Sequence, residues 1–178
     1  MDNSEVVLLV LCDLSKGFDV VDHDLLLAKL RLYNVDTCWF ESYLANHTQQ
    51  VQYRGTNGQL VRSKSLPITM GVYQGTALGP ILFSIFCNDL SLHTPGATIL
   101  QYADDVQIAV KGRKDQLAEL ISTLENQIAV LADWFGSNGM KVNQAKTQLI
   151  VHGTKGMLRS IQPIQIKFGS STIRESDT

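Results

Sequence analysis

The stretch that most limits what this chain can become is residues 99–110, Ile-Leu-Gln-Tyr-Ala-Asp-Asp-Val-Gln-Ile-Ala-Val. After the two acids, Val106, Ile108 and Val110 alternate with Gln107, Ala109 and Lys111, the period of a half-buried strand. Residues 98–102 are rich in side chains that favour strands. The pattern predicts a β-hairpin whose tight turn carries Ala103, Asp104 and Asp105, because Asp tolerates turn conformations. Adjacent carboxylates on a rigid turn repel each other, so such a pair needs a cation close by or open water around it. A Tyr-x-Asp-Asp turn alone fits an ordinary surface loop as well as a metal site.

The remaining elements decide what else reaches that turn. Residues 6–14 form a near-continuous apolar run, which reads as a strand buried on both faces and ending at Asp13. A helix follows with Leu25, Leu26, Leu27 and Leu30 on its apolar side, then a second helical segment over 37–44. Residues 49–53 and 60–66 read as two strands around a Gly55-Thr56-Asn57-Gly58 turn. A glycine-rich stretch, 70–80, feeds a buried helix over 81–87 that reaches Asp89. Beyond the hairpin, Leu117, Leu120, Ile121, Leu124, Ile128, Leu131 and Phe135 share one face of a helix over 114–135, stopped by Gly136 and Gly139. A strand over 148–152 and a hairpin over 164–173 around Gly169 complete the pattern.

With residues 24–66 set aside, the order is strand, helix, strand, strand, helix, strand, the split βαβ pattern of an α+β, ferredoxin-like domain. In that topology the first strand lies antiparallel beside the third. The end of the first strand, Asp13, then meets the turn that opens the third, Asp104-Asp105. Three carboxylates on rigid elements suit Mg²⁺, which prefers oxygen ligands and shares its shell with substrate phosphates. Two such ions can clamp the attacking and leaving oxygens of a phosphoryl displacement. The alternative is that Asp13 caps a loop while Asp104 and Asp105 are solvated turn residues.

Bulk properties exclude more than they assign. The 178 residues suffice for one sizeable domain, and 44% apolar with 18% charged residues is globular rather than disordered. A net charge of −2 gives no compositional support for a nucleic-acid partner. Cys12, Cys38 and Cys87 are odd in number and widely spaced, against both a disulfide framework and a zinc knuckle. No stretch is long enough to span a membrane, and no basic residue precedes the first apolar run as in a signal peptide. The expected location is intracellular (cytoplasm and nucleus), not secreted.

Four segments together resemble one family. Asp13-Leu14-Ser15-Lys16-Gly17-Phe18-Asp19-Val20-Val21-Asp22-His23 resembles the first palm motif of reverse transcriptases of non-LTR, LINE-like retrotransposons. Gly71-Val72-Tyr73-Gln74-Gly75-Thr76-Ala77-Leu78-Gly79-Pro80, continuing to Asn88-Asp89-Leu90, is similar to their glycine-rich template and nucleotide motif. Tyr102-Ala103-Asp104-Asp105 is similar to their catalytic hairpin, and Trp134, Asn138, Asn143, Lys146 and Thr147 repeat the spacing of the motif that follows. Val21-Asp22-His23 and Ser42-Tyr43-Leu44 resemble the jockey or CR1 type.

The resemblance implies an RNA-directed DNA polymerase working on an RNA template, a DNA primer and dNTPs, with two Mg²⁺ ions for which Mn²⁺ can substitute. Asp13 and Asp104 would bind the metals with Asp105 supporting them, and Asp19 would be structural. Phe18 would leave no room for a 2′-hydroxyl on the incoming sugar; without the motif it would read as a core aromatic. Gln74 and Gly75 would contact the nascent base pair. Lys146 would lie near the triphosphate as general acid to the leaving pyrophosphate, the other reading being a surface lysine.

Three positions depart from the family: Gly17 for the usual Ala, Tyr73 for Pro, and His47 for a common Arg. Together they hint at relaxed constraint. The implied layout is palm over 1–23 and 67–160, a partial fingers insertion over 24–66, and the start of a primer-grip hairpin over 161–178. The N-terminal fingers and the thumb would lie outside these residues, so this fragment alone would be inactive. A catalytically inactive relic of such an element is the other reading.

Overall fold

The computed structural model describes residues 5–161, 163–169 and 171–176. The extreme ends of the 1–23 and 161–178 segments, and residue 170 inside the expected C-terminal hairpin, lie outside them. In chain order the elements are β1 (Glu5–Asp13), a 3₁₀ turn (Gly17–Val20), α1 (His23–Leu32) and α2 (Cys38–Leu44). Four short strands follow: β2 (Thr48–Gln49), β3 (Gln52–Arg54), β4 (Leu60–Arg62) and β5 (Leu66–Pro67). Then come α3 (Leu78–Cys87), a 3₁₀ turn (Leu90–His93), β6 (Thr98–Tyr102), β7 (Asp105–Arg113), a 3₁₀ turn (Lys114–Gln116) and α4 (Leu117–Ser137). The chain ends in β8 (Gln148–His152), α5 (Lys155–Leu158), β9 (Gln165–Phe168) and β10 (Ser171–Arg174). It divides into two compact units, one of residues up to Gly17 and from Cys87 onward, the other Phe18–Phe86.

The first unit is built on a four-stranded sheet of order β6-β7-β1-β8, each neighbouring pair antiparallel. The β1–β7 register runs from Glu5 opposite Arg113 to Asp13 opposite Asp105. One face carries Val6, Leu8, Val10 and Cys12 of β1, Val106, Ile108 and Val110 of β7, and Leu149 and Val151 of β8, all buried. Helix α4 packs on this face through Leu124, Ile128, Leu131 and Phe135, each fully buried. Burying a side chain of that size contributes about 1.5–3 kcal/mol, so this layer is the main hold on the sheet.

β1 was expected to be buried on both faces. Its alternate residues, Val7, Leu9 and Leu11, are only half-buried, because no helix of this unit covers them. An apolar run marks a strand without saying how many layers enclose it. Helix α4 also differs from expectation at its end: it continues past Gly136 to Ser137 and stops at Gly139, whose φ is +73°. Met140 N–H donates to Phe135 O (2.8 Å) and Gly139 N–H to Gly136 O (3.1 Å), the paired bonds of a Schellman stop. The stop sends the chain to the end of β1, where Val142 bridges Leu14 and Ser15 N–H donates to Lys141 O at 2.8 Å.

In the second unit, Asp22 caps α1 by accepting from Leu25 N–H at 2.8 Å. Its buried face is Leu26, Leu27, Leu30 and the stem of Lys29, whose ammonium donates to Phe86 O of α3 at 2.7 Å. The hairpin expected over 49–66 forms, but its ladder is interrupted into β3 with β4 beside the turn and β2 with β5 farther out. All four strands are exposed, so nothing apolar enforces one continuous register.

Candidate active site

Asp13 is the last residue of β1 and Asp105 the first of β7, and the two are register partners. Cross-strand partners point their side chains to the same sheet face, so these carboxylates share the open face. The turn is tighter than the sequence suggested: Tyr102 pairs with Asp105, leaving only Ala103 and Asp104 as turn residues. Ala103 takes φ +54°, which glycine normally supplies at the first position of such a two-residue turn. An L-residue there costs about 1–2 kcal/mol, strain held by the paired strands on either side. Gln101 Nε2 donates to Ala103 O at 3.1 Å and ties the turn back to β6.

A cleft of about 550 Å³ opens here, lined by Leu11, Asp13, Asp105, Gln107, Ala145, Lys146 and Gln148 among others. Lys146 Nζ lies 3.5 Å from Asp13 Oδ2. The sequence showed no cation beside the acids; the fold supplies one from the segment after α4. That segment is fastened to β1, because Asn143 N–H donates to Asp13 O at 2.8 Å. Asn143 O in turn accepts from Lys146 N–H (3.1 Å), Thr147 N–H (3.1 Å) and Thr147 Oγ1 (2.9 Å). The spacing of Asn143, Lys146 and Thr147 is therefore that of a short bonded turn that brings Lys146 beside Asp13. Upstream, Trp134 Nε1 donates to Asp89 Oδ2 at 3.4 Å, and Asn138 Nδ2 to Trp134 O at 2.8 Å.

The donor set bears on metal binding. Asp13 and Asp105 line the cleft together, while Asp104 stands one residue away in the turn and is not among the lining residues. Among the described residues no three His, Cys, Asp or Glu side chains surround one point as a closed metal cage. Mg²⁺ usually takes one or two carboxylates and completes its shell with water and substrate phosphate. Oxygen donors on an open, rigid sheet end fit that mode.

The other sequence-predicted residues lie in the 18–86 unit. Phe18 is half-buried in a 3₁₀ turn and stacks on Phe83 of α3, ring centroids 4.4 Å apart and planes 17° apart. Gln74 and Gly75 are exposed at the tip of a loop; Gly75 has φ +80°, which only glycine adopts cheaply. Gln74 Nε2 donates to Asp19 Oδ1 at 2.9 Å, so Asp19 has a structural bond. Burial, and then the neighbouring Tyr43, raise the Tyr73 phenol above its ordinary pKa.

The family model for the reverse transcriptase (RNA-dependent DNA polymerase) matches residues 2–171. The chain belongs to the reverse transcriptase family. Among curated relatives, it is 30% identical over 159 residues to the RNA-directed DNA polymerase from mobile element jockey of Drosophila melanogaster. It is 32% identical over 161 residues to the probable RNA-directed DNA polymerase from transposon BS of the same species. Each match covers 82% of this chain and only 16% of the relative, so the chain spans about a sixth of their length. In fold, this reverse transcriptase segment is similar to a telomerase from Candida albicans solved with a TWJ fragment of telomeric RNA. That likeness has a TM-score of 0.50 at 14% identity and covers 95% of this chain and 29% of the other. Among the described residues no helix is long and apolar enough to cross a membrane.

Proposed function

We infer that this chain is the palm, with part of the fingers, of a non-LTR retrotransposon polymerase that copies an RNA template onto a DNA primer. The strand order β8-β1-β7-β6 fits a split βαβ palm, with the fingers portion falling within residues 24–66 and the primer grip beginning at β9 and β10. The observation that carries the reading is Asp13 opposite the Asp104-Asp105 turn with Lys146 3.5 Å from Asp13. In the reaction the primer 3′-hydroxyl gives up its proton to solvent, its oxygen forms a bond to the α-phosphorus of a dNTP, and the bond from that phosphorus to the departing pyrophosphate breaks.

Two divalent cations, Mg²⁺ or Mn²⁺, supply when bound the activation of the hydroxyl and the neutralisation of developing phosphate charge. Asp13 and Asp104 would hold them and Asp105, the register partner of Asp13, would support the cluster. Lys146 moves from Asp13 to the triphosphate and donates its Nζ proton to the leaving pyrophosphate. Phe18 excludes a 2′-hydroxyl, its ring held by Phe83, and Gln74 with Gly75 meets the nascent base pair.

Primer extension by a polymerase carrying this segment tests the reading. Asp13→Asn or Asp104→Asn is expected to lower extension by a factor on the order of 10³ or more. Near-normal extension by either variant overturns it. The isolated 178-residue chain is expected to extend nothing measurable. If the wild-type segment supports no extension in the complete enzyme and binds no Mn²⁺, the chain is the inactive relic.

A further inference from the structure

Tyr73, at the base of the glycine-rich loop, packs its ring on His47, with centroids 4.7 Å apart. Tyr73 also meets Tyr43 of α2 edge-on at 5.4 Å, and Tyr43 stacks on Trp39 at 5.2 Å with planes 12° apart.

The loop that carries Gln74 and Gly75 is fixed at two places before its tip, where Gln74 bonds to Asp19. Its first residues are held through the backbone: Gly71 N–H donates to Val21 O (2.7 Å) and Val72 N–H to Phe18 O (2.8 Å). The second hold is at Tyr73. Its carbonyl accepts from Thr76 Oγ1 at 2.7 Å, and Thr76 Oγ1 accepts from Gly79 N–H at 3.1 Å, joining the loop to the start of α3. Its ring sits in the aromatic cluster. Past Tyr73, Gln74 bonds to Asp19 Oδ1, and Gly75 stands clear, with nothing within 4 Å of where its side chain would begin. The hydroxyls of Tyr43 and Tyr73 are buried without a hydrogen-bond partner among the described residues. The hold is therefore one of ring against ring.

A loop that must present one conformation to a ligand loses affinity if it is left to order on binding. Proline removes that cost by fixing φ; a tyrosine can remove it by burying its ring. We propose that Tyr73 is a positioning residue for nucleotide binding, its ring clamped by His47 and Tyr43 so that Gln74 and Gly75 are presented preformed. The proposal rests on Gln74 and Gly75 being the nucleotide loop.

Two readouts separate the proposal from that reading. The first is amide exchange of residues 74–77 in the full chain, with far-UV circular dichroism and protection of α1 as folding controls. Tyr73→Ala is expected to speed exchange about tenfold, Tyr73→Phe to leave it unchanged, and Tyr73→Pro with His47→Arg to bring it back toward the wild-type rate. The second is extension kinetics in the polymerase carrying this segment. Tyr73→Ala is expected to raise the dNTP KM about tenfold, with kcat within about twofold, and Tyr73→Phe to match the wild type. The proposal is overturned if Tyr73→Ala leaves exchange unchanged, if exchange rises without a change in KM, or if Tyr73→Phe is as damaging as Tyr73→Ala. If exchange responds as expected but even the wild type extends nothing, the anchor stands and the polymerase reading fails.

Discussion

The two units hold their candidate functional residues by different means. In the unit containing β1 and β7, Asp13 and Asp105 are fixed by a continuous ladder whose other face is sealed by α4. In the 18–86 unit the strands are two or three residues long and exposed, and Gln74 and Gly75 sit on a loop held by backbone bonds and one aromatic cluster. A buried ladder holds two carboxylates at a fixed separation. A loop holds its residues only as firmly as the contacts around it set its conformation.

The contrast should break first in kinetics. In a polymerase carrying the segment, Asp13→Asn is expected to act on kcat, at the scale given above. Gln74→Ala is expected to act mainly on KM, by about tenfold, because it loses contacts and leaves the chemistry in place. Equal effects on kcat from both would erase the distinction. Stability should divide the same way. Leu8→Ala, at a fully buried position under α4, is expected to cost about 2–5 kcal/mol in denaturant unfolding. Leu60→Ala in β4, where Leu60 is 55% exposed, is expected to stay within about 0.5 kcal/mol.

The cysteines sharpen the comparison further. Burial pushes the Cys12 thiol from an ordinary 9.0 up to about 12. As pH rises from 9 toward 12 the unfolded chain releases that proton and the folded chain keeps it. The folded state then binds more protons than the unfolded, so stability falls across this window. Unfolding midpoints taken at pH 8 and pH 10 should drop more for the wild type than for Cys12→Ala. Cys38 is exposed, yet its thiol is raised by a hydrogen bond to Asp36 and by that residue's charge. It should alkylate before Cys12, and faster still in Asp36→Asn. A modest effect is expected for the α1 cap: Asp22→Ala should cost about 1 kcal/mol of stability.

Much of this was legible from residue order. Alternation marked β7 and placed Val106, Ile108 and Val110 inward, and the apolar period of α4 found Leu124, Ile128, Leu131 and Phe135. The order of elements predicted the antiparallel pairing of β1 with β7 and hence the approach of Asp13 to the Asp104-Asp105 turn. The strand and helix faces are local, each following from side chains a few residues apart meeting one surface, while the β1–β7 pairing followed from the order of the elements.

What the sequence left open depended on partners distant in the chain. The sequence could not tell that one face of β1 is only half covered, because apolar spacing records a strand and not its second layer. It gave no cation for Asp13; Lys146 arrives there because Gly139 ends α4 and Asn143 bonds to the end of β1. It showed Tyr73 and His47 as two separate departures, and only folding put their rings together. Elements and their faces were written in local periodicity. Register partners, the ion pair and the aromatic clamp were decided by tertiary packing, because no short-range pattern encodes which distant side chains will meet.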